Sequence, residues 1–481
     1  MFCKAEDFGK NILLTFDEIC QATSGEIVCN KAGVQGVYSV VLDSRDVKAG
    51  ALFIPLRGMQ QDGHKYCEAS LQKGTVCFFV DRKFLAEKNT GSTNEEFVKA
   101  LCEKYKATCI VVKNNLYALQ DCAACYLKKF PKLLRIAVTG SSGKTTTKEI
   151  LASIIGEERK TVFTKGNLNS ETGLPLSIFT IRKDDEVAVF EFGMNRENEI
   201  AELAKIFQPS IALITNIGLA HVGMLGSQEK IALEKKKIFS QFDNTCTGFI
   251  PKSEFSEVLK KDVLGKIKVI DCEKNIFEKF LELKDLGEKG FEFIYEGEKI
   301  KFHLVGKHNL INAVMALSVA EFLKIKTQNI KKGLEKVKAI YGRAEIKEGR
   351  VKYLFDVYNA NPQSMLASIE FLENLKVGGK KIAVLGSMME LGDYEFESHK
   401  KIIDRVLNSS IGLVFLYGDN FINIFEKLKI NENKFLCFKT NEASLLKTKL
   451  KEKLEKDDFV LLKGSRGLQL EQFVPCLEAD K

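Results

Sequence analysis

The sequence has little proline and little arginine. Only 7 of its 481 residues are proline, so domain boundaries must be read from changes of pattern rather than from proline-rich linkers. Arginine supplies 11 of the 72 basic residues, and 64 acidic residues bring the net charge to +8. A nucleic-acid-binding protein usually concentrates its positive charge and uses arginine for it. We therefore expect a solvated, lysine-rich surface and no nucleic-acid partner.

The sequence also lacks a regular cysteine pattern. Its 13 cysteines are an odd number without repeated spacing, which argues against a disulfide scaffold. Cys122 and Cys125 form the only close pair, within an apolar stretch of helical period, and no second pair follows at zinc spacing. We predict a buried helix at this pair rather than a redox or zinc site.

Long hydrophobic runs are missing as well. Charged residues interrupt the first fourteen positions, and a long uncharged run that includes 211–228 contains glycines, Asn216 and His221. We therefore expect no secretory leader, no membrane insertion and a cytoplasmic location. The hydrophobic share of 45% and the charged share of 28% are those of a globular chain, long enough for about three domains.

Short apolar runs alternate with helical periods along most of the chain. Residues 1–132 mix strand-like runs (37–42, 52–56, 76–80 and 109–112) with helices, including one over 116–130. Strands at 134–139, 187–192 and 211–216 precede a helix at 227–239. A second block has strands at 353–357, 381–385, 413–417 and 459–462. Such alternation predicts parallel sheets covered by helices, hence an α/β fold with domains 1–132, 133–343 and 344–481.

A glycine-rich turn, TGSSGKTTT (139–147), joins the strand at 134–139 to a helix. Such a loop offers backbone N–H groups and the positive end of a helix dipole to a polyphosphate. We expect Lys144 at the β and γ phosphates and the Thr145 hydroxyl on Mg²⁺. The spacing of Gly140 and Gly143 is shorter than in the standard P-loop, and the alternative is a Gly-Ser turn before an N-capped helix. Strand, Gly-Lys-Thr and helix together favour nucleotide binding.

Three further residues follow successive strands and are candidates for a metal cluster. Glu191 lies at the end of the strand at 187–192, His221 follows the strand at 211–216, and Lys235 lies in the next helix. Each residue alone is more often a surface or structural group. Open α/β sheets place their sites at the carboxyl ends of strands, which favours a shared function for the three.

The order of these motifs resembles the Mur ligases, the ATP-dependent amide-forming enzymes of bacterial cell-wall precursor synthesis. The shared motifs are the short P-loop, TNIG with AH (215–221), IALEK (231–235), GKHN with NA (306–313) and GR (342–343). The segments GNLNSETGLPL (166–176), YNANPQSM (358–365), MELG (389–392) and KGSRG (463–467) are similar to the branch that adds D-alanyl-D-alanine. DSR (43–45) and DGH (62–64) resemble the region that receives the UDP-sugar.

This resemblance implies a three-domain α/β fold with a central P-loop ATPase domain and a C-terminal Rossmann-like domain. It implies an ATP-dependent amide ligase that joins D-alanyl-D-alanine to UDP-N-acetylmuramoyl-tripeptide through an acyl phosphate, with release of ADP and phosphate. The N-terminal domain would bind the UDP-sugar peptide and the C-terminal domain the dipeptide. The alternatives are a relative that adds a single diamino acid, a nucleotide-dependent switch or transport ATPase, and a silent binding protein.

The resemblance also assigns residue roles. Lys235 would be carbamylated by CO₂, because a bare ammonium cannot ligate Mg²⁺; the alternative is a basic helix face that includes Lys236 and Lys237. The catalytic set would be Lys144, Glu191, His221 and Lys235, and the Mg²⁺ ligands Thr145, Glu191, His221 and Lys235. The ATP site would comprise Gly140, Ser141, Ser142, Gly143, Lys144, Thr145, Thr146, Asn309, Asn312, Arg343 and Asp356.

The substrate site would comprise Ser44, Arg45, Asn167, Asn169, Thr172, Tyr358, Asn359, Asn361, Lys463 and Arg466. Lys463 and Arg466 are expected at the dipeptide carboxylate, and Asp356 at the ribose of ATP. Two of these roles compete with structural ones, since Asn309 could cap its helix and Arg45 could form a surface ion pair. We expect small-molecule substrates only and a monomer.

Four positions depart from the family pattern. Phe355 stands where a first aspartate is usual, and Ser387 replaces an aspartate. Asn198 stands at a usual glycine, and Lys237 at a position that is frequently acidic. None of them removes a P-loop or metal group, so we expect them to alter fine contacts rather than the activity.

Overall fold

The computed structural model describes residues 12–58, 61–89, 92–430 and 432–478. Two compact units are present. The first comprises residues 1–135, 162–192 and 202–208, and the second comprises residues 136–161, 193–201 and 209–481. This division into two units does not coincide with the three predicted domains, whose boundaries stay predictions.

Within its described residues, the first part of the chain is built from short strands and five α-helices. In chain order these elements are β1 (Leu14–Thr15), α1 (Phe16–Thr23), β2 (Glu26–Asn30), β3 (Gly36–Val37), β4 (Ser39–Val41), β5 (Ala51–Phe53), α2 (Cys67–Gln72), β6 (Thr75–Asp81), α3 (Arg82–Ala86), β7 (Lys88–Asn89), β8 (Ser92–Thr93), α4 (Asn94–Tyr105), β9 (Thr108–Val112) and α5 (Asn115–Leu127).

Five of these strands form one sheet in the order β2-β9-β6-β5-β4. The pairs from β9 to β4 are parallel, and β2 is antiparallel to β9. The prediction of a single strand at 37–42 is wrong in one respect, because two short strands lie there. Strand β3 pairs with β1, whereas β4 joins the five-stranded sheet. The cysteine pair lies in α5 as predicted, with Cys122 buried and Cys125 half-buried, and both are free thiols.

The middle part of the chain alternates strands and helices and then changes to an antiparallel meander. Its elements are β10 (Leu134–Thr139), α6 (Lys144–Gly156), β11 (Thr161–Phe163), α7 (Gly173–Ile178), β12 (Val187–Glu191), α8 (Glu199–Phe207), β13 (Ile211–Ile214), α9 (Val222–Leu225), α10 (Gln228–Lys236), β14 (Thr247–Pro251), α11 (Ser256–Lys260), β15 (Lys266–Ile270), α12 (Cys272–Lys279), β16 (Leu281–Asp285), β17 (Phe291–Tyr295), β18 (Glu298–Phe302), α13 (Lys307–Phe322) and α14 (Thr327–Lys336).

In the second unit, β10, β13, β14 and β15 pair in parallel, as the alternation predicted. Helix α6 packs against both α13 and α14. Strands β16, β17 and β18 form a separate antiparallel sheet, which the sequence analysis did not predict. All five residues of β16 are exposed, so this strand lacks the buried apolar face by which strands are recognised.

The last part of the chain forms a six-stranded sheet, which is called the second sheet below. Its elements are β19 (Glu345–Glu348), β20 (Lys352–Asp356), α15 (Pro362–Asn374), β21 (Lys381–Gly386), α16 (Glu395–Leu407), β22 (Leu413–Tyr417), α17 (Asp419–Lys427), β23 (Phe435–Phe438), α18 (Ala443–Lys453) and β24 (Phe459–Lys463).

The order in this sheet is β19-β20-β24-β21-β22-β23. Every pair is parallel except β19 with β20, so the sheet is Rossmann-like with one antiparallel edge. Strand β24 lies in the centre between β20 and β21, which brings the last strand of the chain beside the first parallel one. The predicted α/β class is confirmed. Within the described ranges, no helix combines the length and apolar character needed to cross a bilayer.

The core of this second sheet provides a test of the fold. Phe415 of β22 is fully buried, whereas Phe277 of α12 is 84% exposed. We expect Phe415→Ala to lower the free energy of unfolding by about 3–5 kcal/mol, because truncation of a buried ring leaves a cavity. Phe277→Ala, the same chemical change at an exposed position, should have little effect. Urea denaturation followed by circular dichroism checks this. Equal unfolding midpoints for the Phe415→Ala and Phe277→Ala variants would contradict the core position of Phe415.

Candidate functional site

The glycine-rich loop at 140–143 packs tightly against its neighbours in the second unit. Gly140 has φ +152° and Gly143 has φ +76°. A Cβ at Gly140 would overlap the Thr215 hydroxyl, and one at Gly143 would overlap the Asn312 side chain. The backbone N–H of Ser142 donates to Oδ1 of Asn216 at 2.7 Å. The loop therefore requires glycine at both positions and is fixed on the end of β13.

Helix α6 starts at Lys144, and no side chain caps it. Its first N–H groups and the positive end of its dipole are therefore available to an anion. In the alternative of an N-capped helix, a side chain would already bond to one of these N–H groups. Nζ of Lys144 donates to the Gly140 carbonyl at 2.9 Å, which places the ammonium over the loop. Oγ1 of Thr145 is buried and has no hydrogen-bond partner in the described part of the chain. A buried hydroxyl in this state fits a cation ligand.

Asn309 and Asn312 lie on one face of α13, next to the loop. Nδ2 of Asn312 donates to Oδ1 of Asn309 at 3.0 Å, and the Thr147 hydroxyl donates to Oδ1 of Asn312 at 3.3 Å. The capping alternative for Asn309 is wrong, because the N-cap of α13 is Gly306 and Asn309 donates to the Val305 carbonyl. The two amides thus connect α13 with the start of α6.

His221 contacts a glutamate to which the sequence analysis gave no role. Its Nδ1 lies 2.8 Å from Oε2 of Glu390, although the pair lacks hydrogen-bond alignment. The imidazole lowers the pKa of the Glu390 carboxyl. Both residues adopt the left-handed conformation, with φ +65° for His221 and +64° for Glu390, and Gly223 N–H donates to the Glu390 carbonyl at 2.9 Å. Two strained residues held together are typical of a functional site.

Lys235 is buried in α10, with 1% of its surface exposed. Its Nζ lies 3.9 Å from Sδ of Met194. Burial and the nearby Lys144 ammonium together lower the pKa of Lys235 well below its ordinary value, against the opposing effect of Glu234. The alternative of an exposed basic helix face is therefore wrong for Lys235, whose environment favours a neutral amine.

Two of the four departures from the family pattern contact each other. Nζ of Lys237 donates to Oδ1 of Asn198 at 2.6 Å and to Oε2 of Glu234 at 2.6 Å. Asn198 has φ +67°, a conformation that asparagine tolerates better than most residues. Lys237 thereby neutralises the buried carboxylate that precedes Lys235.

Asp356 and Lys463 form a buried ion pair at the carboxyl ends of β20 and β24. Nζ of Lys463 lies 2.7 Å from Oδ2 of Asp356, and the Ser368 hydroxyl donates to the same oxygen at 2.7 Å. Burial alone would raise the pKa of Asp356, but Lys463 and Ser368 outweigh this effect and lower it. This pairing was not predicted, since Asp356 was expected at the ribose of ATP and Lys463 at the dipeptide carboxylate.

Residues after β20 contact the glycine-rich loop. Nδ2 of Asn361 donates to the Ser142 hydroxyl at 2.8 Å, and a Cβ at Gly218 would overlap the Gln363 amide. The Arg343 guanidinium lies 3.9 Å from the centre of the Tyr358 ring, in a cation–π arrangement. The structure thus pairs Ser142 with Asn361 and Arg343 with Tyr358, and Tyr358 and Asn361 belong to the same short segment after β20.

In the first unit, the structure brings Glu191 together with the loop at 166–172. Nδ2 of Asn169 donates to Oε1 of Glu191 at 2.7 Å, and the Glu191 N–H donates to the Thr164 hydroxyl at 3.0 Å. Oε2 of Glu191 is buried without a hydrogen-bond partner in the described ranges. The hydroxyl of Thr172 lies 3.2 Å from that of Ser170, and the Asn167 carbonyl accepts from Asn169 N–H.

Two predicted arginines are exposed and paired with acids of their own segments. Arg45 forms an ion pair with Asp43 at 2.5 Å, as the surface alternative predicted, and lowers the pKa of Asp43 to about 2. Ser44 lies between them. Arg466 pairs with Glu471 at 2.8 Å while 58% of its side chain stays exposed. Both guanidiniums remain accessible to an anionic ligand.

The remaining departures have structural roles. Phe355 packs in the core of the second sheet, against Tyr341 and Tyr353. The Ser387 hydroxyl accepts from Phe421 N–H at 3.0 Å, near the start of α17. Among the described residues, no group of three or more His, Cys, Asp or Glu side chains could hold a metal ion.

The loop geometry yields a matched pair of variants. Gly143→Ala should weaken ADP binding by about tenfold or more, because the left-handed backbone disfavours a Cβ by about 1–2 kcal/mol and the methyl group meets Asn312. Gly156→Ala, at the other end of α6, meets open space and should leave the affinity unchanged. Titration calorimetry measures both affinities. Equal affinities of the two variants would contradict a phosphate site at this loop.

Three family descriptions match successive parts of the chain. They are "Mur ligase family, catalytic domain" over residues 36–124, "Mur ligase middle domain" over residues 138–320 and "Mur ligase, glutamate ligase domain" over residues 342–466. The glycine-rich loop, His221 and Lys235 lie within the second match, and Asp356, Glu390 and Lys463 lie within the third.

Whole-chain comparisons agree with the domain matches. The chain is 40% identical to the UDP-N-acetylmuramoyl-tripeptide–D-alanyl-D-alanine ligase of Treponema pallidum over 470 residues, which cover 98% of this chain and 100% of the relative. A crystal structure of MurF from Acinetobacter baumannii matches with a TM-score of 0.80 and 26% identity, covering 96% of this chain and 98% of that one. The MurF ligase of Thermotoga maritima in complex with ADP matches with a TM-score of 0.73 and 26% identity, covering 91% and 96%. The chain belongs to the Mur ligase family.

Proposed function

We propose that this chain is an ATP-dependent ligase that joins D-alanyl-D-alanine to UDP-N-acetylmuramoyl-tripeptide in the synthesis of peptidoglycan precursors. The observation that carries the proposal is the short P-loop, fixed on β13 and α13, in a chain 40% identical over nearly its full length to a ligase of that name. Addition of a single diamino acid is not favoured, since the name of the 40% identical relative gives D-alanyl-D-alanine as the group that is joined.

The chemistry begins with a carboxylate, which is a poor electrophile. Transfer of the γ-phosphoryl group of ATP to the tripeptide carboxylate would form an acyl phosphate, which the amine of the dipeptide attacks with loss of phosphate. Positioning and neutralisation of charge dominate such a transfer. Lys144 and the N–H groups at the start of α6 are the groups of this chain that neutralise the phosphates.

A divalent cation is required to offset the remaining charge of ATP, and the residues fit one. In the described part of the chain, Thr145 and Glu191 each have a buried oxygen without a hydrogen-bond partner, and Mg²⁺ prefers oxygen ligands. We assign Thr145, Glu191, His221 and carbamylated Lys235 as ligands. Bound Mg²⁺ would polarise the phosphoryl oxygens and neutralise their charge.

Carbamylation of Lys235 is supported by its surroundings. The reaction with CO₂ needs a neutral amine, and burial beside Lys144 lowers the pKa of Lys235. Carbamylation would replace a side chain whose ammonium form repels Mg²⁺ by an anionic group with oxygen ligands. Lys237 supports this change by pairing with the neighbouring Glu234.

The remaining ATP contacts are assigned to the second unit. Asn309 and Asn312 would lie at the adenine, Arg343 at the phosphates and Asp356 at the ribose, together with the loop residues 140–146. The Tyr358 ring holds the Arg343 guanidinium from one face, which limits the directions in which it can bind an anion. This restriction suits a guanidinium that must meet a phosphate in one geometry.

The two substrates are assigned to different parts of the chain. The UDP-sugar peptide would contact Ser44, Arg45, Asn167, Asn169 and Thr172. The dipeptide would contact Tyr358, Asn359, Asn361 and the loop from Lys463 to Arg466. We further propose the domains 1–132, 133–343 and 344–481 for UDP-sugar peptide, ATP and dipeptide, and a monomer located in the cytoplasm.

Phosphate release tests the proposed function. With Mg-ATP and UDP-N-acetylmuramoyl-tripeptide, we expect release that depends on D-alanyl-D-alanine and a product heavier by one dipeptide. Lys144→Ala should lower the rate by at least about 100-fold, because it removes a charge that acts on the transferring group. Lys261→Ala, at an exposed lysine, is the control. Release driven by a free diamino acid instead would support the alternative.

Carbamylation is tested by the supply of CO₂. Degassed, bicarbonate-free enzyme should lose activity and regain it when bicarbonate is added, since the carbamate forms reversibly. Carbon-13-labelled bicarbonate should give a carbamate resonance in the unmodified sequence but not in Lys235→Arg, whose guanidinium does not react. Lys236→Arg should keep both the resonance and the activity. A resonance that survives in Lys235→Arg would show that another amine is modified.

A further inference from the structure

The ion pair between Lys463 and Asp356 leaves the two oxygens of the carboxylate in different states. Lys463 and Ser368 both bond to Oδ2, each at 2.7 Å. Within the described residues, no side chain or backbone group donates to Oδ1. Asp356 is paired with Lys463 in the register of β20 and β24, so the backbone ladder sets the position of the ammonium. One oxygen is fixed and the other is left as an acceptor.

Lys463 is poorly placed to bind a substrate carboxylate. Its side chain is 3% exposed, and Nζ already donates to Asp356 and to the Asn359 carbonyl at 3.0 Å. A second carboxylate at this ammonium would lie beside that of Asp356, and the two like charges would repel each other. Arg466 of the same loop is 58% exposed and pairs with the half-buried Glu471. The dipeptide carboxylate therefore has a better partner in Arg466 than in Lys463.

We propose that Lys463 and Ser368 are positioning residues for the nucleotide: they fix Oδ2 of Asp356 so that Oδ1 accepts hydrogen bonds from the ribose hydroxyls. This inference rests on the proposed role of Asp356, and it moves Lys463 from the dipeptide to the nucleotide. A carboxylate held at one oxygen loses little freedom when the other oxygen binds a ligand.

The neighbouring His308 supports this arrangement. Burial is the main cause that lowers its pKa to about 4, with Asp356 raising it and Lys463 lowering it further. The imidazole is therefore neutral near pH 7 and does not compete with Lys463 for the charge of Asp356. Lys463 is the cation that compensates this carboxylate.

Discrimination between ribose forms tests the inference without any ligation step. Titration calorimetry would measure the affinities for ADP, 2′-deoxy-ADP and 3′-deoxy-ADP. For the unmodified sequence, the deoxy-ADP that lacks the hydroxyl bonded to Asp356 should bind about 10- to 100-fold more weakly than ADP. This is the usual range for a hydrogen bond to a charged group. Lys463→Met should reduce this discrimination to within about threefold, and Lys463→Arg should restore most of it.

Lys449→Met is the matched control, since Lys449 forms an exposed ion pair with Glu452 and should leave discrimination unchanged. If Lys463→Met does not fold because Asp356 is left buried and unpaired, Ser368→Ala takes its place and should reduce discrimination by a smaller factor. Full discrimination in folded Lys463→Met or in Ser368→Ala overturns the inference.

The KM for the dipeptide separates the roles of Lys463 and Arg466. In the ligation assay, Arg466→Met should raise the KM for D-alanyl-D-alanine, and Lys463→Arg should not. A raised dipeptide KM with intact ribose discrimination in Lys463→Arg would return Lys463 to the dipeptide and overturn the inference. Failure of ligation in the unmodified sequence, with ribose discrimination intact, would contradict the proposed function but not the inference.

Discussion

The contact between Gly140 and Thr215 determines much of the arrangement around the glycine-rich loop. Because a Cβ at Gly140 would overlap the Thr215 hydroxyl, the loop backbone lies directly on the end of β13. Ser141 and Ser142 then bond to the backbone and side chain of Asn216. The chain continues from Asn216 to His221, so the position of the imidazole follows from the same contact. Close approach of backbones thus links the start of α6 to the residues after β13.

Two buried lysines show how the surroundings of an amine decide its chemistry. Lys463 lies beside a carboxylate and a carbonyl, and together they compensate a buried ammonium. Lys235 is buried against the Met194 thioether with another lysine close by, so the ammonium form is disfavoured. The same side chain is therefore held as a cation in one place and favours the neutral amine in the other. Burial alone does not distinguish these roles, whereas the neighbouring atoms do.

The sequence predicted the parallel strands well because they are short apolar runs with clear boundaries. Strand β10 and strand β22 have the predicted limits. The exposed strand β16 was missed because it has no apolar face. Contacts such as Asn361 with Ser142, which are 219 residues apart, depend on strand order, and that order is not encoded in local pattern. For the same reason Glu390 and Ser368 went unrecognised as partners of His221 and Asp356.

The departures from the family pattern illustrate why single positions are poor guides to function. Successive residues of a strand face opposite sides of a sheet. Phe355 packs into the apolar core, whereas Asp356 turns to the face that carries Lys463 and Ser368. A phenylalanine at 355 therefore leaves the carboxylate and its partners intact. Asn198 and Lys237, taken singly, each replace a residue that is usual in the family. In the fold, however, Lys237 bonds to both Asn198 and Glu234. Residues that depart from a pattern together and touch in the fold are better understood as one altered contact than as two defects.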